Sequence, residues 1–154
     1  DYIRDVLLPR ADIITPNRYE AEFLTGGKIG SLDDALAAID TLRARGPGTA
    51  VVTSTPGDED GASITLAADG EAAWMVRTPR LDTAVHGAGD LFSALFLGRT
   101  MRGAGLDEAL SATVSSVYAV LAATAQAGAR EMLLVETQDA LAAPPERFPA
   151  VRLG

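Results

Sequence analysis

The sequence predicts an α/β fold built on a mostly parallel sheet with an antiparallel hairpin at its edge, and three observations carry that expectation. Short apolar runs at Ile13-Ile14 and Ala50-Val51-Val52 read as buried strands with two helical periodicities between them, the order that a parallel sheet with crossover helices requires. Asp69-Gly70, set between two alternating segments, marks a hairpin. With 154 residues and 47% hydrophobic content, the chain is one domain's worth and long enough to bury a core.

Ile3, Val6 and Leu7 share one helical face, and Pro9 ends that helix. Asp1-Tyr2-Ile3 opens the chain inside this pattern without an initiator Met, so a processed chain or a piece of a longer one is expected. Asp12 to Thr15 is a short strand stopped by Pro16. Asn17 caps a helix that runs through Phe23 and Leu24 to a stop at Gly26-Gly27. Ser31 opens the next helix, whose inner side is Leu32, Ala35, Leu36, Ile39 and Leu42, and Gly46-Pro47-Gly48 closes it. Ala50 to Ser54 follows as the second strand. Ser63 to Leu66 and Ala73 to Val76 flank the hairpin turn, and Pro79 to His86 leads into Gly87-Ala88-Gly89-Asp90. One helix is expected from Asp90 to about Arg102 and a longer one from Asp107 to Ala125. Met132 to Val135 reads as a short apolar strand and Gln138 to Leu141 as a last helix.

A net charge of −8 argues against a nucleic-acid or anionic-membrane surface. Without cysteine there is no disulfide, zinc-thiolate or thiol chemistry. The apolar stretches read as too short and interrupted to span a bilayer, and no signal segment opens the chain, so a cytoplasmic enzyme is expected.

Gly87-Ala88-Gly89-Asp90 is the most chemically pointed segment. Small residues at a helix start let backbone N–H groups approach an anion, with the positive end of the helix dipole behind them. A carboxylate there would repel a bound phosphate unless it serves another purpose, such as taking the proton from an alcohol that attacks a phosphoryl group. The plain alternative is a tight turn with Asp90 as an ordinary N-terminal cap. Asn17 and Glu20 follow a strand end, where open α/β sheets bind ligands, and lie three apart on one turn. They suit a Mg²⁺ ion held through water beside phosphates, and they equally form a capping box. Thr53 and Ser54 end the second strand with two hydroxyls that could donate to phosphate oxygens. His86 reads as a surface or packing residue, Trp74 and Met75 as core, and Asp58-Glu59-Asp60 as a solvated acidic loop. Together, the motifs fall on one sheet edge in a kinase-like order.

Those residues resemble a known family. Ile13-Ile14-Thr15-Pro16-Asn17-Arg18-Tyr19-Glu20-Ala21-Glu22-Phe23-Leu24-Thr25-Gly26 is similar to the T-P-N-x-x-E-A-E-x-L-T-G segment of pyridoxal kinases. Gly87-Ala88-Gly89-Asp90-Leu91-Phe92-Ser93-Ala94 resembles their G-T-G-D-L-F-S-A motif. The likeness continues through Ser116-Val117-Tyr118 to Arg147-Phe148 and corresponds to roughly the C-terminal half of such an enzyme.

The resemblance implies a partial ribokinase-like fold, a three-layer α/β/α sandwich, formed by residues 1–154 as the nucleotide-binding and catalytic part. It implies transfer of the ATP γ-phosphoryl group to the 5′-hydroxyl of pyridoxal, pyridoxine or pyridoxamine, in vitamin B6 salvage. Asp90 would be the base, and the N–H groups of Gly87, Ala88 and Gly89 would stabilise the transferring group. Asn17 and Glu20 would organise Mg²⁺ and the phosphates, and Thr53 and Ser54 would contact ATP. A homodimer is implied, and a monovalent cation is left open. In the family, the first half supplies much of the vitamer pocket, its lid and several strands. Ala88 departs from the usual Thr, which removes a hydroxyl and keeps the backbone donor. Hydroxymethylpyrimidine kinases share the T-P-N segment but usually carry Cys at the position of Asp90. Sugar kinases often spell the turn Gly-Ala-Gly-Asp. A non-catalytic ATP-binding remnant is the alternative from outside the enzymes.

Overall fold

A computed structural model of the chain describes residues 2–56, 61–82 and 85–154. The acidic stretch Asp58-Glu59-Asp60 lies outside the described residues. The elements run β1 (Ile13–Ile14), α1 (Arg18–Thr25), α2 (Leu32–Arg43), β2 (Thr49–Pro56), β3 (Ala62–Ala68), β4 (Ala73–Pro79), α3 (Ala88–Met101), α4 (Leu106–Gln126), α5 (Gln138–Ala142) and β5 (Val151–Leu153). The strands form one sheet in the order β1-β2-β3-β4-β5.

Strand alternation divides the core in two. Ala50, Val52, Ile64, Leu66 and Ala68 face α1 and α2, where Leu24, Ala35, Ile39 and Leu42 meet them. Val51, Ala67 and Val76 face the other way, onto Phe92 and Phe96 of α3 and Leu110, Val114 and Val117 of α4. Helices therefore cover both faces of the sheet, giving the expected three layers.

The α/β class holds, with a different balance of pairings inside it. β1 and β2 pair in parallel, whereas β2–β3, β3–β4 and β4–β5 are all antiparallel. The β1–β2 connection carries α1 and α2, whereas β2–β3 and β3–β4 are joined directly, which forces antiparallel pairing; α3, α4 and α5 lie between β4 and β5. Nor does the hairpin form the edge, because β5 pairs outside it through Ala73–Leu153, Trp74–Arg152 and Met75–Val151. The Asp69 carboxylate closes the hairpin turn by accepting the N–H groups of Glu71 (2.8 Å) and Ala72 (3.0 Å).

Other expectations need correcting. Residues 132–135 form no strand: the Leu133 N–H donates to Thr124 Oγ1 of α4 (3.2 Å), and its carbonyl accepts the Thr137 N–H (3.0 Å). Those groups are committed to a turn and cannot join a ladder. The N-terminal helix is one π-helical turn, Ile3–Leu7, followed by a 3₁₀ turn, Leu8–Arg10, with Pro9 inside it. Only Leu8 of that segment is buried. By length and composition α4 could cross a membrane. Its residues Ala109 to Val117 are instead buried in the protein, as expected of a core helix.

Candidate active site at the end of β2 and the start of α3

β1 and β2 run side by side to the site. The Thr53 N–H donates to the Pro16 carbonyl (3.0 Å), and Asn17 bridges to Thr53 in parallel register. The two motifs that the sequence separates by some thirty-five residues are therefore neighbours. Asn17 caps α1 and forms a capping box: its side chain accepts the Glu20 N–H, and Glu20 Oε2 accepts the Asn17 N–H, both at 2.9 Å. The bland sequence reading is thus real. It leaves Glu20 Oε1 and the Asn17 amide nitrogen uncommitted among the described residues.

Between Val52 and Thr55 the β2–β3 register shifts, and Ser54 sits there at φ 60°. Among the described residues it is the one non-glycine with positive φ. Such a backbone conformation is strained for serine and persists where surrounding structure enforces it, often at functional sites. The bulge turns the Thr53-Ser54 end of β2 out of the ladder, and both residues line a cavity of about 150 Å³. Ser54 also borders a neighbouring cleft with Asn17, Arg18, Tyr19 and Glu22.

The third part of the site is α3. Gly87 is its N-cap at φ 89°, a left-handed conformation suited to glycine, and offers no side-chain cap. A Cβ at Gly87 would also lie 3.1 Å from the Met132 side chain. The first intrahelical bond is Leu91 N–H to Gly87 carbonyl (3.0 Å), so the N–H groups of Ala88, Gly89 and Asp90 lack helical partners. Ala88 and Gly89 line the same cavity as Thr53 and Ser54. Asp90 occupies the third helical position and is exposed. Gly87, Asp90 and Glu20 do not themselves border that cavity.

Two features escaped the sequence reading. Ser63, Thr65 and Thr78 add hydroxyls to the sheet wall of the cavity, opposite Phe92, Val117, Tyr118 and Leu121. The signal available was alternation, since Ser63 and Thr65 alternate with Ile64 and Leu66. The second feature is a link across the site: Thr15 Oγ1 lies 2.8 Å from Ser93 Oγ, which donates to the Gly89 carbonyl at 2.8 Å. With Ser93 donating to Gly89, Thr15 is the donor to Ser93. That pair ties the end of β1 to the glycine turn. His86 is exposed, Met75 packs against the α1–α2 core, and Trp74 carries Arg152 at 5.9 Å over its ring.

Among the described residues no cluster of three His, Cys, Asp or Glu could cage a metal ion. Mg²⁺ keeps several waters and often needs only one or two protein carboxylates beside phosphates, so the free Glu20 oxygen fits an ion held through water.

Taken together, the arrangement is an uncapped helix start that shares a small cavity with strand-end hydroxyls, with the Asp90 carboxylate next along the helix from Gly89. It can bind an anion and offer a base beside it.

Comparison with known proteins places this geometry. The pyridoxal kinase PdxY of Rubrobacter xylanophilus is 49% identical over 155 residues, covering 99% of this chain and 53% of the relative. The structure of pyridoxal kinase from Entamoeba histolytica matches with a TM-score of 0.85 at 27% identity, over 96% of this chain and 53% of that one. The Leishmania donovani pyridoxal kinase in complex with ADP and pyridoxine has the same fold, with a TM-score of 0.89 at 23% identity over 98% and 54% of the two chains. The fold is thus ribokinase-like, and the chain spans about half the length of the curated relatives it matches. A family model described as phosphomethylpyrimidine kinase matches residues 1–134, and the chain belongs to that family.

Proposed function

We propose that residues 1–154 are the nucleotide-binding and catalytic part of an ATP-dependent pyridoxal kinase. The observation that carries this reading is the open start of α3: Ala88 and Gly89 share a cavity with Thr53 and Ser54, and Asp90 stands one residue further along. The names of the relatives, and the ADP and pyridoxine in the Leishmania enzyme, support the choice of nucleotide and vitamer.

In this reading the Asp90 carboxylate takes the proton of the vitamer 5′-hydroxyl. The hydroxyl oxygen forms a bond to the γ-phosphorus as the bond to the β,γ-bridging oxygen breaks, releasing ADP. Backbone N–H groups of the Gly87-Ala88-Gly89 turn face the charge on the transferring group at no reorganisation cost. Thr53 and Ser54 contact the nucleotide. Asn17 holds the turn in which Glu20 would reach Mg²⁺ through water, and the ion would supply charge neutralisation on the phosphates. The resemblance adds a homodimer and a cytoplasmic location to this reading.

The matched family's description favours a second reading, a hydroxymethylpyrimidine kinase. Asp90 and the absence of cysteine favour the vitamer kinase. Replacing Asp90 with Asn tests the mechanism. Turnover should fall by orders of magnitude while Mg·ATP affinity stays within a few fold. Lost ATP binding with intact turnover of bound substrate would refute the role of Asp90.

A further inference from the structure

The far end of α3 carries a different chemistry. A 14-residue helix is about 20 Å long, so its last turn lies well away from the glycine turn. A cavity of about 600 Å³ opens there, bordered by Arg99, Arg102 and Arg147, by the single carboxylate of Glu108, and by apolar walls including Ala112 and Pro144. Glu108 is already paired with Arg147. Arg99 is held by three neutral acceptors: Thr113 Oγ1 (3.2 Å), Ser116 Oγ (2.9 Å) and the Leu141 carbonyl (2.7 Å). No carboxylate lies within ion-pair distance of Arg99 among the described residues, and the side chain of Arg102 has no hydrogen bond or ion pair there.

Such a cluster is out of keeping with a chain of net charge −8. Burial, then the nearby Arg147, push the Arg99 pKa down, with Glu108 acting against them. The carbonyl end of α3 favours a cation there. The fixed guanidinium fork matches phosphate oxygens, and the cavity is of the size that small ligands fill.

We propose that this pocket is a second anion site, in which Arg99, Arg102 and Arg147 bind the phosphate group of a small dianion, with the apolar walls accepting an attached organic group. The site is independent of the kinase reading and nothing in it performs chemistry.

Calorimetric titration of the intact chain in a phosphate-free, low-salt buffer tests this, with inorganic phosphate and phenyl phosphate as separate probes. Saturating Mg·AMP-PNP is added to fill the nucleotide site. Binding is expected to survive AMP-PNP, to weaken about tenfold in Arg102→Ala, and to vanish in Arg102→Glu. Arg130→Ala, beyond the opposite end of α4, should leave it unchanged. Tighter binding of phenyl phosphate would identify an ester as the ligand class; equal binding would identify free phosphate. No binding of either probe, equal binding by the Arg102 variants, or equal loss in Arg130→Ala would overturn the proposal. Should AMP-PNP itself fail to bind, the kinase reading suffers, while the Arg102 comparison still decides this one.

Discussion

At the residue scale, Glu22 shows how local chemistry fixes the segment next to the site. Its nearly buried carboxylate accepts from Lys28 Nζ (2.8 Å), the Ile29 N–H (3.0 Å) and Arg18 Nε (3.2 Å). The Lys28 ammonium, then the Ile29 N–H and the Arg18 guanidinium, lower its pKa from 4.5 to about 2 against the effect of burial. A carboxyl lowered on folding stabilises the folded state above its unfolded pKa, and that contribution is lost as pH falls from about 4.5 towards 2. Glu22→Gln should therefore be less stable than wild type at pH 7, with the gap closing in acid. Urea unfolding at pH 7 and pH 3 checks this, and a gap of constant size would contradict it. Asn17, Glu20, Thr53, Ser54 and Asp90 were legible as candidates through their joint occurrence at element ends along one sheet edge, each being commonplace alone. Glu22 was not legible as a clamp, because its partners are set by how the chain turns after Gly26.

At the element scale, the site depends on β1 and α3 keeping one relative position. Thr15 and Ser93 join them through two hydroxyl hydrogen bonds that end on the Gly89 carbonyl. Ser93→Ala removes the link. It should reduce kcat/KM for ATP several-fold, since small displacements of positioning groups are costly. Ser93→Thr, which keeps the hydroxyl, should restore most of that loss. Equal defects in both variants would indicate a packing effect and remove Ser93 from the positioning role. The long elements were legible: α2 and α4 carry sustained apolar periodicity, and Asp69-Gly70 fixed the hairpin. Short apolar runs were not. Met132 to Val135 reads as an apolar strand and forms none, whereas Val151 to Leu153, with Arg152 at its centre, gives no such signal and pairs with β4. Pairing of that kind is a tertiary property that local sequence does not encode.

On the scale of the whole molecule, β1 is an edge strand of two residues, and the turn before it exposes Tyr2, Ile3 and Leu7. On α1, Tyr19 and Phe23 stand one turn apart and are 76% and 56% exposed. Exposed apolar surface beside an open sheet edge favours association. Residues 1–154 in isolation should therefore self-associate in sedimentation velocity, and a monodisperse monomer with a sharp thermal transition would contradict that. The proposed activity is phosphoryl transfer to a B6 vitamer at this sheet edge and the start of α3. It is tested most directly by offering the protein Mg·ATP with pyridoxal, hydroxymethylpyrimidine, ribose and adenosine in parallel and identifying the phosphorylated product. Rapid formation of pyridoxal 5′-phosphate alone is expected. Phosphorylation of another acceptor in its place, or Mg·ATP binding with no turnover of any, would contradict the claim.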